Sequence, residues 1–331
     1  MDVEAFVAVH GDEWDELAAL LRRRRLSSTE ADRLVLLYQR AATHLSQVRS
    51  AAPDPVLLSR LSTLVAGARN RLTGAREPLW RDLARFAVVS FPAALWRLRW
   101  WTAAVTASFL LVSSATAAWV AGDPAVVAAM GAPEELRRYV DEDFAAYYSE
   151  DPAGSFAARV WTNNAWIAAQ CVALGITGGW VVLVLVNNAL AVGTAAGLML
   201  AFDRGGVFFG LILPHGLLEL TAVFVAAAAG LKLFWAWVEP GPRPRSRAIA
   251  EEGRALVTVA LGLVVVLAVS GVLEGFVTPS PLPTWARVGI GAAALGAFLA
   301  YGGVLGRRAV AAGETGDLRP EQAGDVRPVA G

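Results

Sequence analysis

Cysteine, lysine and histidine are nearly missing from this chain. Cys171 is the only cysteine among 331 residues, Lys232 is the only lysine, and the histidines number three. A single thiol excludes a disulfide framework, and with so few histidines it also excludes a zinc cluster of the usual cysteine and histidine kind. Net charge is missing as well, because 29 basic residues balance 29 acidic ones. No basic patch interleaved with aromatics is present, so no nucleic-acid partner is expected. Neither G-x-S-x-G nor H-E-x-x-H occurs, and Asp203-Arg204-Gly205-Gly206 lacks the context of a phosphate-binding loop. Residues 1–25 begin acidic and end in Arg22-Arg23-Arg24-Arg25, the reverse of a signal peptide, so insertion into a membrane is expected to rest on internal spans.

What the chain has is apolar length. Hydrophobic residues make up 56%, against roughly 45–50% in a soluble domain, and the mean hydropathy is +0.48. The excess lies after about residue 100. This pattern predicts an all-α, polytopic membrane protein with a soluble helical part in front. The expected divisions are a cytoplasmic helical bundle with a membrane-surface helix at 1–98, a transmembrane domain at 99–308 and a disordered tail at 309–331.

In the first part, Phe6, Trp14, Leu17 and Leu21 share one helical stripe. Ser27 and Glu30 form a capping box that starts a second helix near 28, Pro53 and Pro55 end it, and a third helix covers about 55–73. From Pro78, arginines (Arg81, Arg85, Arg97, Arg99) alternate with Phe86, Phe91, Trp96, Trp100 and Trp101, the composition of a helix lying on a membrane surface.

About six spans are expected, at roughly 101–121, 163–182, 183–202, 207–238, 254–276 and 286–306. Residues 207–238 exceed one straight crossing, so Pro214 and Gly216 are expected to break that helix into 207–213 and 215–238. Six spans place the arginine-rich segments on one side and the acidic 122–161 loop on the other. The positive-inside rule then makes both termini cytoplasmic, in a cell (plasma) membrane.

Seven polar residues interrupt or border these spans: Asn163, Asn164, Asn187, Asn188, His215, Glu219 and Glu274. The triplet Asn-Asn-Ala occurs at 163–165 and again at 187–189. An ionised glutamate in hydrocarbon costs a few kcal/mol or more, so it turns toward protein or water. His215 and Glu219 are four residues apart and share one helix face. Three readings stay open. The cluster could be structural glue between helices, it could line a path for an ion, proton or small substrate, or it could be a metal or hydrolytic site. Against the third, His-x-x-x-Glu supplies two ligands where a catalytic metal usually takes three. No metal, cofactor or catalytic residue is therefore assigned.

The paired asparagines, Gly193 and Gly197, the His-Gly-Leu-Leu-Glu of 215–219 and the Leu-Glu-Gly-Phe-Val-Thr-Pro of 273–279 resemble the stage II sporulation protein M family. Trp14, Leu17, the Tyr38 helix and Arg71 look like the N-terminal extension of its actinobacterial-type members. The resemblance implies a non-enzymatic membrane scaffold that recruits envelope proteins such as cell-wall hydrolases. The alternative is a transporter or channel component using the His/Glu/Asn cluster. The expected partners are the lipid bilayer, membrane or envelope proteins, a cytosolic protein for the bundle, and a second copy in a homodimer.

Overall fold

The computed structural model describes residues 3–23, 26–51, 54–73, 79–146 and 153–316, and every described regular element is helical. The disordered tail expected at 309–331 lies mostly outside these residues. The chain divides into two compact units, Met1–Asp82 and Leu83–Gly331.

The first unit contains α1 (Val3–Arg22), α2 (Ser28–Ala51) and α3 (Pro55–Thr73). The capping box forms as the sequence predicts. The Ser27 N–H donates to Glu30 Oε2 at 2.8 Å, and the Glu30 N–H donates back to Ser27 Oγ at 3.4 Å. Asp54 starts α3 in the same way, its Oδ1 accepting the Leu57 N–H at 2.8 Å. Apolar side chains at helical spacing turn inward, and Trp14, Leu17, Leu34, Leu37, Val48 and Leu61 are fully buried. Arg71 ties the end of α3 to the end of α1 by donating to the Leu21 carbonyl at 2.9 Å.

The second unit begins inside α4 (Leu79–Arg85), which continues through a π-helical turn at Phe86–Ser90 into α5 (Phe91–Gly122) as one helical rod. The surface helix expected before residue 98 therefore runs without a break into the first apolar helix, Trp80–Gly122. Phe91, Pro92, Ala93, Ala94, Leu95 and Leu98 are buried, because the small residues of neighbouring helices come right up to them. Next come α6 (Pro124–Met130), α7 (Pro133–Arg138), a π-helical turn at Tyr139–Asp143 and α8 (Phe144–Ala146). The long helices α9 (Ala153–Ala173), α10 (Gly179–Ala201), α11 (Gly205–Val238), α12 (Arg245–Val272, extended by a π-helical turn at Leu273–Val277) and α13 (Thr284–Ala311) complete the unit.

Among the described residues, five helices are long and apolar enough to cross a membrane: Trp80–Gly122, Gly179–Ala201, Gly205–Val238, Arg245–Val277 and Thr284–Ala311. The sixth expected span appears as α9, shifted from 163–182 to Ala153–Ala173 and too polar to join the five. Its packing nevertheless aligns it with the five. Asn164 meets Glu219, and further along Cys171 and Gly175 meet Gly230, so α9 runs parallel to α11. Gly210 faces Thr284 and Gly291 faces Pro214, so α13 is parallel to α11 as well. Gly193 and Gly197 of α10 rest on Ser113 and Ala117, parallel to α5, whereas Gly302 and Gly306 of α13 meet Leu95 and Pro92 in the opposite order. Lys232 pairs with Glu252 while His215 meets Ser270, so α12 opposes α11. Consecutive long helices thus alternate in direction. The turn between α9 and α10 depends on Gly178 at φ +61°, a conformation that side chains with a Cβ rarely adopt.

The expected break in α11 does not occur. The helix is continuous across 34 residues with Pro214 inside it, about 51 Å at 1.5 Å per residue. Proline removes one backbone donor and is tolerated in a membrane helix when neighbours occupy the freed groups. The carbonyl that loses its donor is that of Gly210, four residues earlier; around Pro214 the helix is held by close packing of Gly291 from α13 and by the Ser270 hydroxyl, which donates to the His215 carbonyl at 3.1 Å.

The two ends of the bundle differ in charge. At one end, Glu252 of α12 is buried and pairs with Arg97 of α5 at 2.9 Å and Lys232 of α11 at 3.3 Å. Arg243, Arg245, Arg247, Arg307 and Arg308 fall at the same end. At the other end, Asp141 accepts two hydrogen bonds from Arg204, at 2.9 and 2.6 Å, and Phe144 stacks on Phe208.

Candidate functional site

Two clusters of potential ligand side chains exist among the described residues, one in each unit. The first is His10, Glu13 and His44. His44 is seated among aromatic rings. Its ring lies 4.1 Å from that of His10 and 5.4 Å from that of Phe6, and the Trp14 indole N–H donates to His44 Nδ1 at 3.2 Å. Glu13 is engaged by Arg40. This is a packed aromatic corner, fixed by the hydrogen bonds from Trp14 to His44 and from Arg40 to Glu13.

Burial holds the His44 pKa below its ordinary 6.5; His10 and Arg40 lower it further and Glu13 opposes them. The folded bundle therefore prefers neutral His44, while the unfolded chain takes a proton near pH 6.5. The stability from this preference is complete above that pH and is lost as the pH falls toward the folded value. Hydrogen exchange of α1–α3, corrected for intrinsic rates, is expected to quicken between pH 7.5 and 5.5, with less change in His44→Gln. The Glu16 pKa is lowered by its hydrogen bond to Arg33 from an ordinary 4.5, so it acts below that window.

The second cluster is His215, Glu219 and Glu274, with relative exposures of 4, 3 and 0%. His215 and Glu219 come from successive turns of one face of α11. Glu274 comes from α12, where the π-helical turn at Leu273–Val277 widens the backbone and directs its side chain inward. Such single widened turns often occur at functional positions. His215 Nε2 lies 3.7 Å from Glu274 Oε1, and His215 Nδ1 lies 3.1 Å from the Thr278 hydroxyl. Thr278 is held by Arg287, which donates to its carbonyl at 2.6 Å. The Asn164 side chain reaches across from α9 to hydrogen-bond Glu219. Three carboxylate oxygens, Glu219 Oε1 and both of Glu274, are buried and accept no hydrogen bond.

Of the seven residues singled out in the sequence, four meet here: Asn164, His215, Glu219 and Glu274. Asn163 and Asn187 are exposed on their helices. Asn188 is half-buried, and its amide nitrogen has no partner. Thr278 and Ser270 complete the site without having been singled out. Thr278 stands four residues after Glu274, the same interval that links His215 to Glu219, and that spacing was the available signal.

Comparison with known proteins gives two matches. Residues 4–74 match the model of a domain of unknown function, DUF8413. Residues 104–279 match the model of stage II sporulation protein M. No curated protein and no solved structure matches the chain. The matched stretch contains all of Asn164, His215, Glu219, Glu274 and Thr278 and runs from the first span to the end of α12. This multi-pass, all-helical membrane protein belongs to the stage II sporulation protein M family.

Proposed function

We propose that this chain is a non-enzymatic scaffold of the plasma membrane on which other envelope proteins, cell-wall hydrolases among them, assemble. The observation that carries this reading is the enclosure of the polar centre. His215 joins α11 to α12 through Thr278 and Ser270, Glu219 joins it to α9 through Asn164, and His215, Glu219 and Glu274 are all but inaccessible. A shut centre of this kind fixes helix register and gives partners a defined surface, whereas a transport path must open to water on at least one side. The arginine-rich end, with Arg97, Lys232 and Arg243, is the cytoplasmic one by the positive-inside rule. That orientation makes both ends of the six-crossing unit cytoplasmic. The N-terminal bundle, with its own buried core, is the part offered to a cytosolic partner.

Two measurements on the same preparation test the proposal. Crosslinking in native membranes followed by purification is expected to recover envelope proteins with the wild-type chain. The purified chain in liposomes is expected to carry no ion or proton flux. Flux that Glu219→Gln abolishes would replace the scaffold with a transporter.

A further inference from the structure

We propose that His215, Glu219 and Glu274 together bind one divalent first-row metal ion, with zinc and manganese the ions that their donors suit. The site stands independently of the assembly role. Sequence spacing offers only two ligands on one helix face; the third arrives from α12, antiparallel to α11, at the π-helical turn that carries Glu274.

Geometry comes first. One donor atom from each of the three residues lies within 4.8 Å of the other two. The 3.7 Å between His215 Nε2 and Glu274 Oε1 is too long for a hydrogen bond. It is close to the spacing of two donors on one ion, since atoms about 2.0–2.2 Å from zinc at a tetrahedral angle stand roughly 3.3–3.6 Å apart.

The second observation is the unmet demand of the carboxylates. Glu219 Oε1 and both oxygens of Glu274 are buried with no donor to receive, at 3 and 0% exposure, and one oxygen of each acid faces the cluster. Protonating both acids would create two hydroxyl donors that also need acceptors, and no hydrogen bond joins the two side chains. One cation satisfies the three oxygens together. Two carboxylates and a neutral imidazole carry a charge of −2, so a divalent ion leaves the buried centre neutral, whereas a monovalent ion does not. The mixed nitrogen and oxygen donor set suits zinc or manganese better than calcium, which prefers six to eight oxygens.

The surrounding groups hold the donors as metal ligands are commonly held. With Thr278 Oγ1 accepting from the Nδ1–H, the lone pair of His215 Nε2 points toward Glu274. Asn164 steadies Glu219. Arg287 is committed to the Thr278 carbonyl and the Thr284 hydroxyl and does not neutralise either acid. In the His10, Glu13 and His44 cluster Glu13 Oε2 is also buried without a partner, but its other oxygen is taken by Arg40. Trp14 donates to His44 Nδ1, which puts the proton of the neutral ring on Nε2 and leaves no lone pair for an ion.

The test uses the full-length chain purified in mild detergent. Elemental analysis is expected to find about one zinc or manganese per chain. In Glu274→Gln and Glu219→Gln the content is expected to fall at least about tenfold, and in His44→Ala to stay unchanged. Because the glutamine variants could fail to fold, the wild-type chain is also stripped with a chelator and titrated with Co²⁺. Visible absorption bands saturating near one equivalent, displaced by Zn²⁺, support the site. A wild-type chain that is metal-free as purified and silent toward Co²⁺ would overturn it. So would metal retained by a folded Glu274→Gln chain, or lost with His44→Ala.

Discussion

Gly230→Val is expected to prevent recovery of a folded transmembrane unit. The reason is a contact between two backbones. A Cβ on Gly230 would stand 3.1 Å from the Gly175 Cα and closer still to the Cys171 carbonyl oxygen; a Cβ on Gly175 would stand 2.7 Å from the Gly230 Cα. Carbon atoms settle at about 3.5–4.0 Å, and no rotamer change can relieve a collision with main chain. The end of α9 would have to swing away from α11, uncovering Ala168 and Cys171 on one side and Ala226 to Ala229 on the other, all of them buried. Overpacking costs about 1–3 kcal/mol where side chains can yield, so a backbone wedge is expected to exceed the upper end of that range. The same swing would draw Asn164 away from Glu219, two turns further along α9. Gly289→Val is the control, since a Cβ there meets nothing within 4 Å. The check is monodisperse recovery and thermal midpoint in detergent for the two variants. A Gly230→Val chain with the wild-type midpoint would mean that α9 does not cross where the structure puts it.

Much of this arrangement was legible in the sequence, and the parts that were not share a cause. Helix starts depend on local chemistry, so Ser27 with Glu30 and Pro55 located α2 and α3 closely. His215 and Glu219 declared a shared face by their spacing alone. The paired asparagines could not be sorted in this way. Adjacent helical residues point about 100° apart, so only one of each pair can face a given neighbour. Asn164 does so because α9 packs on α11, whereas Asn187 and Asn188 sit on α10, which packs chiefly along α5. The repeated triplet therefore does not bring its two copies together. The bounds of α9 were misplaced for a related reason. The expected span at 163–182 contained Asn163, Asn164 and Gln170 but ran past Ala173, because hydropathy does not see the approach of Gly175 to Gly230 or the turn at Gly178 that ends the crossing helix. Pro214 was read as a break because local rules see the lost hydrogen bond and not the Gly291 and Ser270 that other helices bring to it. In each instance the missing information was the identity of the neighbouring helix, which no window along the chain contains.

Trp14→Ala is expected to unfold the N-terminal bundle while sparing the transmembrane unit. Trp14 is 1% exposed at the meeting point of α1, α2 and α3, between Phe6, His10 and His44. Truncating a buried tryptophan to alanine costs about 3–5 kcal/mol through lost transfer energy and the cavity left behind. The loss of its N–H also strands His44 Nδ1 in an apolar corner. A domain of roughly eighty residues has about 4–12 kcal/mol of stability in total, so this one change removes much or all of it. Peptides from α1–α3 are expected to exchange hydrogen at near-unfolded rates, while peptides from α9–α12 keep their wild-type protection. Trp14→Phe keeps most of the volume and loses only the hydrogen bond, so it should be several-fold less damaging in the same measurement. The variant then divides the scaffold into its parts. If a cytosolic protein docks on the bundle, its capture fails in Trp14→Ala while membrane partners are still recovered. If both survive, assembly rests on the transmembrane unit alone, and the polar centre formed by α9, α11 and α12 is what shapes the surface they recognise.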